Sequence, residues 1–242
     1  MKNAVLSLER ATFRFKDAKK SSYAFKDVSF SLAEKEFVSI IGPSGAGKST
    51  LLRAIAGVIF LTSGTVVKNF KKPAMIFQGH GIFPWLTALD NAAFGLFMEG
   101  MPKQARQKRA REKMKEVGLA GLEERYPHQL SGGQRQRVAI ARAIAIEPDL
   151  LLMDEPFASL DSLTSTSLKK DILELWERYK MSVLMVNHII ADAVELSDRV
   201  IIFSKEPGTI RKIETIELPR PRDTRSKDFF LVSDRLTGMI EN

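Results

Sequence analysis

The sequence contains no cysteine and only three histidines among its 242 residues. It can therefore form neither disulfides nor thiolate metal sites, and it offers too few histidines for a convincing histidine metal cluster. No apolar stretch approaches the roughly 18 consecutive residues of a membrane-spanning helix, and the first ten residues lack the apolar run of a signal peptide. Internal repeats and low-complexity segments are also absent. These absences favour a cytosolic protein without a membrane span. The hydrophobic content of 44% in a chain of 242 residues suits one sizeable α/β domain or two small ones.

Acidic residues are outnumbered, and the net charge is +8. The basic excess is diffuse except at residues 103–113 and in the tail at residues 219–225. Charge runs of this kind are usually solvated, so we predict an exposed helix face for the first and a solvated tail for the second. A basic protein can also bind nucleic acid or other anions, which keeps a second class of function open.

The most informative stretch has the form G-x-x-x-x-G-K-S and lies between an apolar run, 37–41, and a helical pattern, 51–56. This strand–loop–helix context predicts a loop that binds the phosphates of a nucleotide. Glycines let successive N–H groups turn inward toward an anion, and the following helix adds unpaired N–H groups. We expect Lys48 to reach the β- and γ-phosphates and Ser49 to ligate Mg²⁺. The predicted nucleotide-binding residues are Gly42, Pro43, Ser44, Gly45, Ala46, Gly47, Lys48, Ser49 and Thr50.

The order of periodic segments predicts an α/β fold. Short alternating segments before residue 36 predict an antiparallel β subdomain, with strands at 5–8, 11–15 and 28–32. Residues 87–146 have helical periodicity and no good strand. Apolar strands and amphipathic helices alternate from 150 to 203, which predicts right-handed crossovers onto a mainly parallel sheet. We predict an α/β nucleotide-binding core with a mainly parallel sheet, the N-terminal antiparallel β subdomain and an all-helical subdomain inserted at 79–146.

Two carboxylates follow the apolar run Leu150-Leu151-Leu152-Met153. Asp154 lies where open parallel sheets bind ligands, so we expect it to hold Mg²⁺ together with Ser49, directly or through water. Glu155 is the natural candidate to polarise a water that attacks the γ-phosphate. The pair therefore predicts hydrolysis as well as binding.

A serine and two glycines begin a predicted helix in the string Leu130-Ser131-Gly132-Gly133-Gln134. Free N–H groups, a hydroxyl and the positive end of a helix make a second arrangement that suits an anion. The same string also fits an ordinary helix N-cap, with Ser131 as the capping residue.

The phosphate loop, LSGGQ and LLLMDE occur in the order found in ATP-binding cassette (ABC) ATPases, and the chain resembles this family over essentially its whole length. The resemblance implies a single ABC ATPase domain over 1–242, with the α/β fold of a P-loop NTPase and a RecA-like core. It also implies ATP and Mg²⁺ as cofactors and a head-to-tail dimer, expected to be a homodimer. In that dimer Ser131 and Gly133 of one subunit face the γ-phosphate held by the other. The signature residues assigned to the nucleotide are Ser131, Gly132, Gly133 and Gln134.

Further residues match the family in register. Gln78 resembles the Q-loop glutamine, which senses Mg²⁺ and water, and His188 resembles the switch histidine that contacts the γ-phosphate. Asn187 and Ile189, on either side of His188, depart from the threonine and the acid that are common there. These departures concern how the histidine is oriented. The resemblance makes Glu155, His188, Gln78 and Lys48 the catalytic set.

The same register assigns two more contacts. Asp161, in Ser159-Leu160-Asp161, resembles part of the D-loop that crosses the dimer interface. The adenine is expected to stack on an aromatic residue of the N-terminal β piece. Phe15 is the first choice by register, and Tyr23 is the second.

The resemblance narrows to importers. Residues 79–91 resemble the stretch after the Q-loop of importer ATPases, and residues 217–222 resemble the tail of the nitrate/sulfonate/taurine/bicarbonate subfamily. This implies separate membrane-spanning permease subunits, a solute-binding protein and a peripheral position on the cytoplasmic face of the membrane. Phe83 and Trp85 are expected to be exposed beside Gln78 and to contact the permease.

Two other functions stay open. A soluble ABC ATPase acting on nucleic acid or ribosomes would explain the basic charge, but such members usually carry two cassettes or a long coiled coil, and neither occurs here. A non-hydrolytic, nucleotide-gated interaction module is the other alternative, against which Glu155, His188 and the intact LSGGQ argue. The importer reading expects no nucleic acid partner.

Overall fold

The computed structural model describes residues 4–15, 22–205 and 207–241. The chain divides into two compact units. The first unit consists of Met1–Phe70 and Ser182–Asn242, and the second unit of Lys71–Met181. Within the described ranges, no helix has both the length and the apolar character needed to span a membrane.

Strands and helices alternate one by one between residues 150 and 203. The strands are β1 (Ala4–Arg14), β2 (Tyr23–Ala33), β3 (Phe37–Ile41), β4 (Ser63–Lys68), β5 (Pro73–Ile76), β6 (Leu150–Asp154), β7 (Ser182–Val186), β8 (Arg199–Phe203) and β9 (Ile210–Thr215). The α-helices are α1 (Lys48–Ala56), α2 (Ala88–Met98), α3 (Lys103–Glu116), α4 (Gly132–Ala145), α5 (Ser162–Tyr179), α6 (Ile190–Leu196) and α7 (Lys227–Glu241).

An antiparallel sheet in the first unit has the strand order β2-β1-β4. It confirms the predicted β subdomain, but the segments at 5–8 and 11–15 form one strand rather than two. Arg10 has φ 49°, and the register of β1 against β2 shifts between Leu8 and Ala11. A bulge of this kind interrupts the alternation of side chains without ending the strand, which is why the sequence pattern breaks there.

A second sheet in the first unit has the order β7-β3-β8-β9. Strand β3 is parallel to both β7 and β8, and all five residues of β3 and of β7 are buried, as their continuous apolar sequences predict. Strand β9 was not predicted. It is antiparallel to β8 and only half-buried, since an edge strand covers less apolar surface and tolerates charged residues.

The second unit contains the parallel pair β5 and β6, and only helices lie between them in sequence. This confirms the helical insertion, while its bounds at 79–146 stay a prediction. Helix α2 begins at the N-cap Thr87, whose hydroxyl accepts the N–H of Asp90 at 3.1 Å. Helix α2 packs against α3 and α4.

The basic helix α3 follows the prediction of a solvated face only in part. Lys103, Lys108 and Arg111 are exposed, but Lys113 is buried. Its Nζ donates to the hydroxyl of Tyr179 at 2.5 Å and to Glu116 at 3.2 Å. Burial by itself would lower the pKa of Lys113, but these two partners reverse the effect and raise it. The end of the basic run is therefore a structural contact between α3 and α5.

The predicted solvated tail is wrong for Arg220 and Arg222. The guanidinium of Arg222 donates to the carbonyls of Val194 at 2.5 Å and Ser197 at 2.6 Å, where α6 ends, and also to those of Leu218 and Ile216. Arg220 donates to Leu196 O at 2.6 Å and to Asp198 at 2.5 Å. Together they satisfy carbonyls that a helix C-terminus leaves without partners.

Burial, with a smaller contribution from the neighbouring Arg220, lowers the pKa of Arg222 to about 10. The guanidinium therefore stays charged at neutral pH, and its donors stay in place. Helix α7 completes this part of the unit, because Phe229 and Leu236 pack with Val194 of α6 and Ile202 of β8. The tail belongs to the fold of the first unit rather than to solvent.

We predict that Arg222→Ala lowers the free energy of unfolding by about 2 to 4 kcal/mol, because several buried carbonyls lose a charged donor. Urea titration of the purified variant measures the change. The matched control is Arg225→Ala, an exposed arginine of the same tail, which should stay within about 0.5 kcal/mol of the parent protein. Equal stability of the two variants would contradict the structural role of Arg222.

Candidate nucleotide-binding site

The loop from Gly42 to Gly47 is already shaped as a cradle. Gly42, Gly45 and Gly47 have φ 152°, 80° and 80°. A Cβ on Gly47 would lie 2.1 Å from the carbonyl oxygen of Ala24, and one on Gly42 would lie 2.6 Å from that of Phe203. The loop can therefore pass this close to β2 and β8 only with glycine at both positions.

Lys48 holds the cradle from inside. Its side chain is buried, and Nζ donates to the carbonyls of Gly42 and Pro43 at 2.8 Å each. The N-cap of α1 is Gly47, which has no side chain to cap the first turn. Ser49 and Thr50 follow in that turn. The arrangement presents an ammonium group, a hydroxyl and a helix N-terminus to an anion.

A carboxylate and an amide meet after strand β6 in the second unit. Asp154 ends the strand and is fully buried, and Glu155 follows with φ 47°. A side chain held in this left-handed region costs about 1 to 3 kcal/mol, and such positions cluster at functional sites. The amide of Gln78 donates to Oε2 of Glu155 at 3.3 Å. The structure thus brings together two residues that are 77 positions apart in sequence.

The signature string forms the N-terminus of α4 and confirms Ser131 as its N-cap. Ser131 Oγ accepts the N–H of Gln134 at 3.2 Å, and Gln134 Oε1 accepts the N–H of Ser131 at 2.9 Å. The hydroxyl accepts in this capping box, so its own proton remains able to donate. Packing against α5 also requires glycine at position 133, since a Cβ on Gly133 would lie 2.4 Å from Cγ2 of Thr164.

Asp161 is the N-cap of α5, and its carboxylate accepts the N–H of Thr164 at 3.0 Å. That bond lowers the pKa of Asp161. The side chain is exposed, so a carboxylate stands at the surface near the signature-bearing helix α4, which packs against α5.

His188 lies in the first unit, directly beyond β7. It is exposed, while Asn187 before it is buried. The backbone N–H of His188 donates to Oδ1 of Asn187 at 2.7 Å. The buried side chain of Asn187 therefore fixes the backbone at His188.

The structure describes both aromatic residues that were predicted as candidates for stacking on adenine. Phe15 is 49% exposed and meets Phe13 edge-on, with ring centroids 5.3 Å apart. Tyr23 is 37% exposed, and Lys26 Nζ and the Arg14 guanidinium lie over its ring at 5.7 and 6.0 Å from the centroid. The cations lie near the limit of a cation–π contact with Tyr23, and the choice of Phe15 as the residue that stacks on adenine stays a prediction.

The segment after Gln78 is fixed by two residues that the sequence analysis did not single out. Asn91 accepts the N–H of Phe83 at 2.7 Å and donates to the carbonyls of Phe83, Leu86 and Thr87. Arg142 donates to Gly81 O at 2.8 Å. An asparagine inside an otherwise apolar helix face was the available sequence signal for Asn91. No sequence feature indicated the role of Arg142.

An apolar patch lies on this segment and on α2. Trp85 is 70% exposed, as predicted, but Phe83 is half-buried, because its ring packs 4.5 Å from that of Phe94. Phe97 and Met98 extend the exposed surface. The helical spacing of residues 94, 97 and 98 was the signal that could have found these members.

The predicted residues thus form two groups. Phe15, the phosphate loop and His188 belong to the first unit, whereas Gln78, Asp154, Glu155, the signature and Asp161 belong to the second. In chemical terms, the first group can hold a triphosphate, and the second offers carboxylates, an amide and a capped helix N-terminus.

Comparisons with known proteins agree with this chemistry. The family model for ABC transporters matches residues 25–158. An ABC transporter ATP-binding protein of Methanocaldococcus jannaschii is 42% identical, covering 90% of this chain and 85% of its own length. The nitrate import ATP-binding protein of Synechocystis is 39% identical over 91% of this chain and 89% of its own. The aliphatic sulfonates import ATP-binding protein of Bacillus cereus is 39% identical over 98% and 96%.

A solved structure is also similar. It is the dimeric post-hydrolysis state of an ATP-binding cassette bound to ADP and phosphate, with a TM-score of 0.80 and 34% identity. The match covers 88% of this chain and 100% of that one. These findings confirm the resemblance and the fold class: the chain belongs to the ABC transporter family, as an ATP-binding cassette with ATPase activity.

Proposed function

We propose that this chain is the ATPase subunit of an importer for a small anionic solute such as nitrate, a sulfonate, taurine or bicarbonate. The observation that carries the proposal is the similarity, at 39% identity over nine-tenths of the chain or more, to import ATP-binding proteins for nitrate and for aliphatic sulfonates. The tail supports it, because residues 217–222 resemble that subfamily and contain the two arginines that bind the end of α6.

Glu155 is the proposed general base. Its φ of 47° and its bond from Gln78 fix the carboxylate at the end of β6, where it can accept a proton from a water aligned with the γ-phosphate. Gln78 then orients the carboxylate and the water. Lys48 and His188 are proposed to offset the charge that develops on the transferred phosphoryl group.

Ser49, Gln78 and Asp154 are proposed to hold Mg²⁺. They supply a hydroxyl, an amide oxygen and a carboxylate, the oxygen donors that this ion prefers. In the described ranges, no group of three or more histidine, cysteine, aspartate or glutamate side chains could hold a metal ion. Bound Mg²⁺ would neutralise charge on the β- and γ-phosphates.

The active site is proposed to be shared between two copies of the chain. Ser131, Gly132, Gly133 and Gln134 of one copy would close over the ATP that the other copy holds on its phosphate loop, with Asp161 at the interface. The capping box supports this assignment, because it orders the start of α4 while leaving the Ser131 hydroxyl able to donate. Hydrolysis would then remove the phosphate that joins the copies.

The apolar patch is proposed to contact membrane-spanning permease subunits at the cytoplasmic face of the membrane. Trp85, Phe97 and Met98 expose apolar surface, and Asn91 and Arg142 hold the segment between Gln78 and α2 by hydrogen bonds. An exposed aromatic anchor on a rigid support is typical of interface hot spots. A separate solute-binding protein would select the solute.

We predict that Glu155→Gln binds ATP as tightly as the parent protein and loses hydrolysis by at least about 100-fold, because the amide cannot accept the proton of the water. Nucleotide titration and phosphate release measure the two quantities. Glu99→Gln is the control, since that carboxylate lies outside the site and pairs with Lys72. Parent-level hydrolysis by Glu155→Gln would overturn the assignment of the base.

The solute class is tested by uptake. Bacteria lacking their nitrate or aliphatic-sulfonate import ATPase subunit should regain uptake of one of these anions when this chain is expressed, and Glu155→Gln should not restore it. Regained uptake of an uncharged solute, with none of nitrate, sulfonate, taurine or bicarbonate, would contradict the class of solute proposed.

A further inference from the structure

The switch histidine lies next to a buried side-chain pair. Asn187 is 2% exposed and Asp192, in the first turn of α6, is 4% exposed. Asn187 Nδ2 donates to Oδ2 of Asp192 at 3.2 Å. Asn187 and Ile189 stand where threonine and an acid are common in the family, and the amide of Asn187 joins a nearby carboxylate to the backbone of His188.

Both the oxygen and the nitrogen of the Asn187 side-chain amide form hydrogen bonds. Its Oδ1 accepts the N–H of His188 at 2.7 Å and that of Ile189 at 3.1 Å, while its Nδ2 faces the carboxylate. If the amide were flipped, its NH₂ group would face the N–H groups of His188 and Ile189, and its oxygen would face the carboxylate of Asp192. Both contacts would be repulsive, so the observed orientation is the favourable one. Asp192 therefore fixes Asn187, and Asn187 fixes the peptide that carries His188.

The pair is anchored to the sheet and to the tail. The backbone N–H of Asn187 donates to Ile40 O at 3.1 Å, two residues before the phosphate loop begins. The other end of α6 is held by Arg222 through Val194 O and Ser197 O. A helix of seven residues is thus fixed at both ends by side chains outside it.

We infer that Asn187 and Asp192 are positioning residues for His188: their buried bond sets the direction in which the histidine leaves the end of β7. This inference rests on the proposed role of His188 in hydrolysis. Neither residue needs to contact ATP, because each acts through the backbone of the switch.

The experiment exchanges the two groups. Asn187→Asp keeps an acceptor for the two N–H groups but sets a second carboxylate against Asp192, so kcat should fall about 10- to 100-fold while KM for ATP stays within about twofold. In the double variant Asn187→Asp/Asp192→Asn, the new amide can donate to the new carboxylate, and kcat should return to within about threefold of the parent protein. Melting temperatures are measured alongside.

His188→Ala is the reference and Ala191→Gln, at an exposed position of α6, is the matched control expected to keep the parent kcat. If His188→Ala is inactive while Asn187→Asp turns over at the parent rate, the positioning role is wrong. The role is also wrong if the double variant recovers the melting temperature and not kcat. If His188→Ala itself hydrolyses ATP normally, the proposed role of the histidine fails instead.

Discussion

The parallel pairing of β3 with β7 and β8 is the constraint on which the first unit depends. Ile40 is opposite Val186, and Ile41 is opposite Ile202, so the three strands end at the same edge of the sheet. The phosphate loop follows β3, and Asn187 and His188 follow β7. Strand pairing alone therefore brings the phosphate loop and His188 to the same edge of the sheet.

The N-termini of α1 and α4 are capped in different ways. The N-cap of α1 is Gly47, so no capping side chain accepts the N–H groups of the first turn. The N-cap of α4 is Ser131, which forms a capping box with Gln134 and keeps a hydroxyl proton that can donate. The start of α1 is suited to enclosing a phosphate, and the start of α4 is suited to closing over a phosphate held elsewhere. These are the roles proposed for the two copies of the chain that share one ATP.

Much of this was predictable because the signals are local. Continuous apolar runs identified β3, β6 and β7, and the loop and signature strings identified the two helix starts. The misses depend on distant partners. The residues around Arg222 in sequence do not indicate that its guanidinium binds the carbonyls of α6. Strand β9 lacks the apolar content of a buried strand. Phe83 is covered by Phe94, which lies eleven positions further along the chain. The bond between Asn187 and Asp192 spans five residues and follows no helix-capping spacing.

The central claim is that each active site needs two copies of the chain, and mixing two inactive variants tests it most directly. Lys48→Ala removes the ammonium group from the phosphate loop, and Ser131→Arg blocks the signature. Half of the dimers in an equal mixture contain one copy of each, and each of those keeps one complete site. The account predicts recovery of up to about a quarter of the parent ATPase activity from two inactive proteins. A mixture that remains as inactive as its components, although the two variants form mixed dimers, would contradict it.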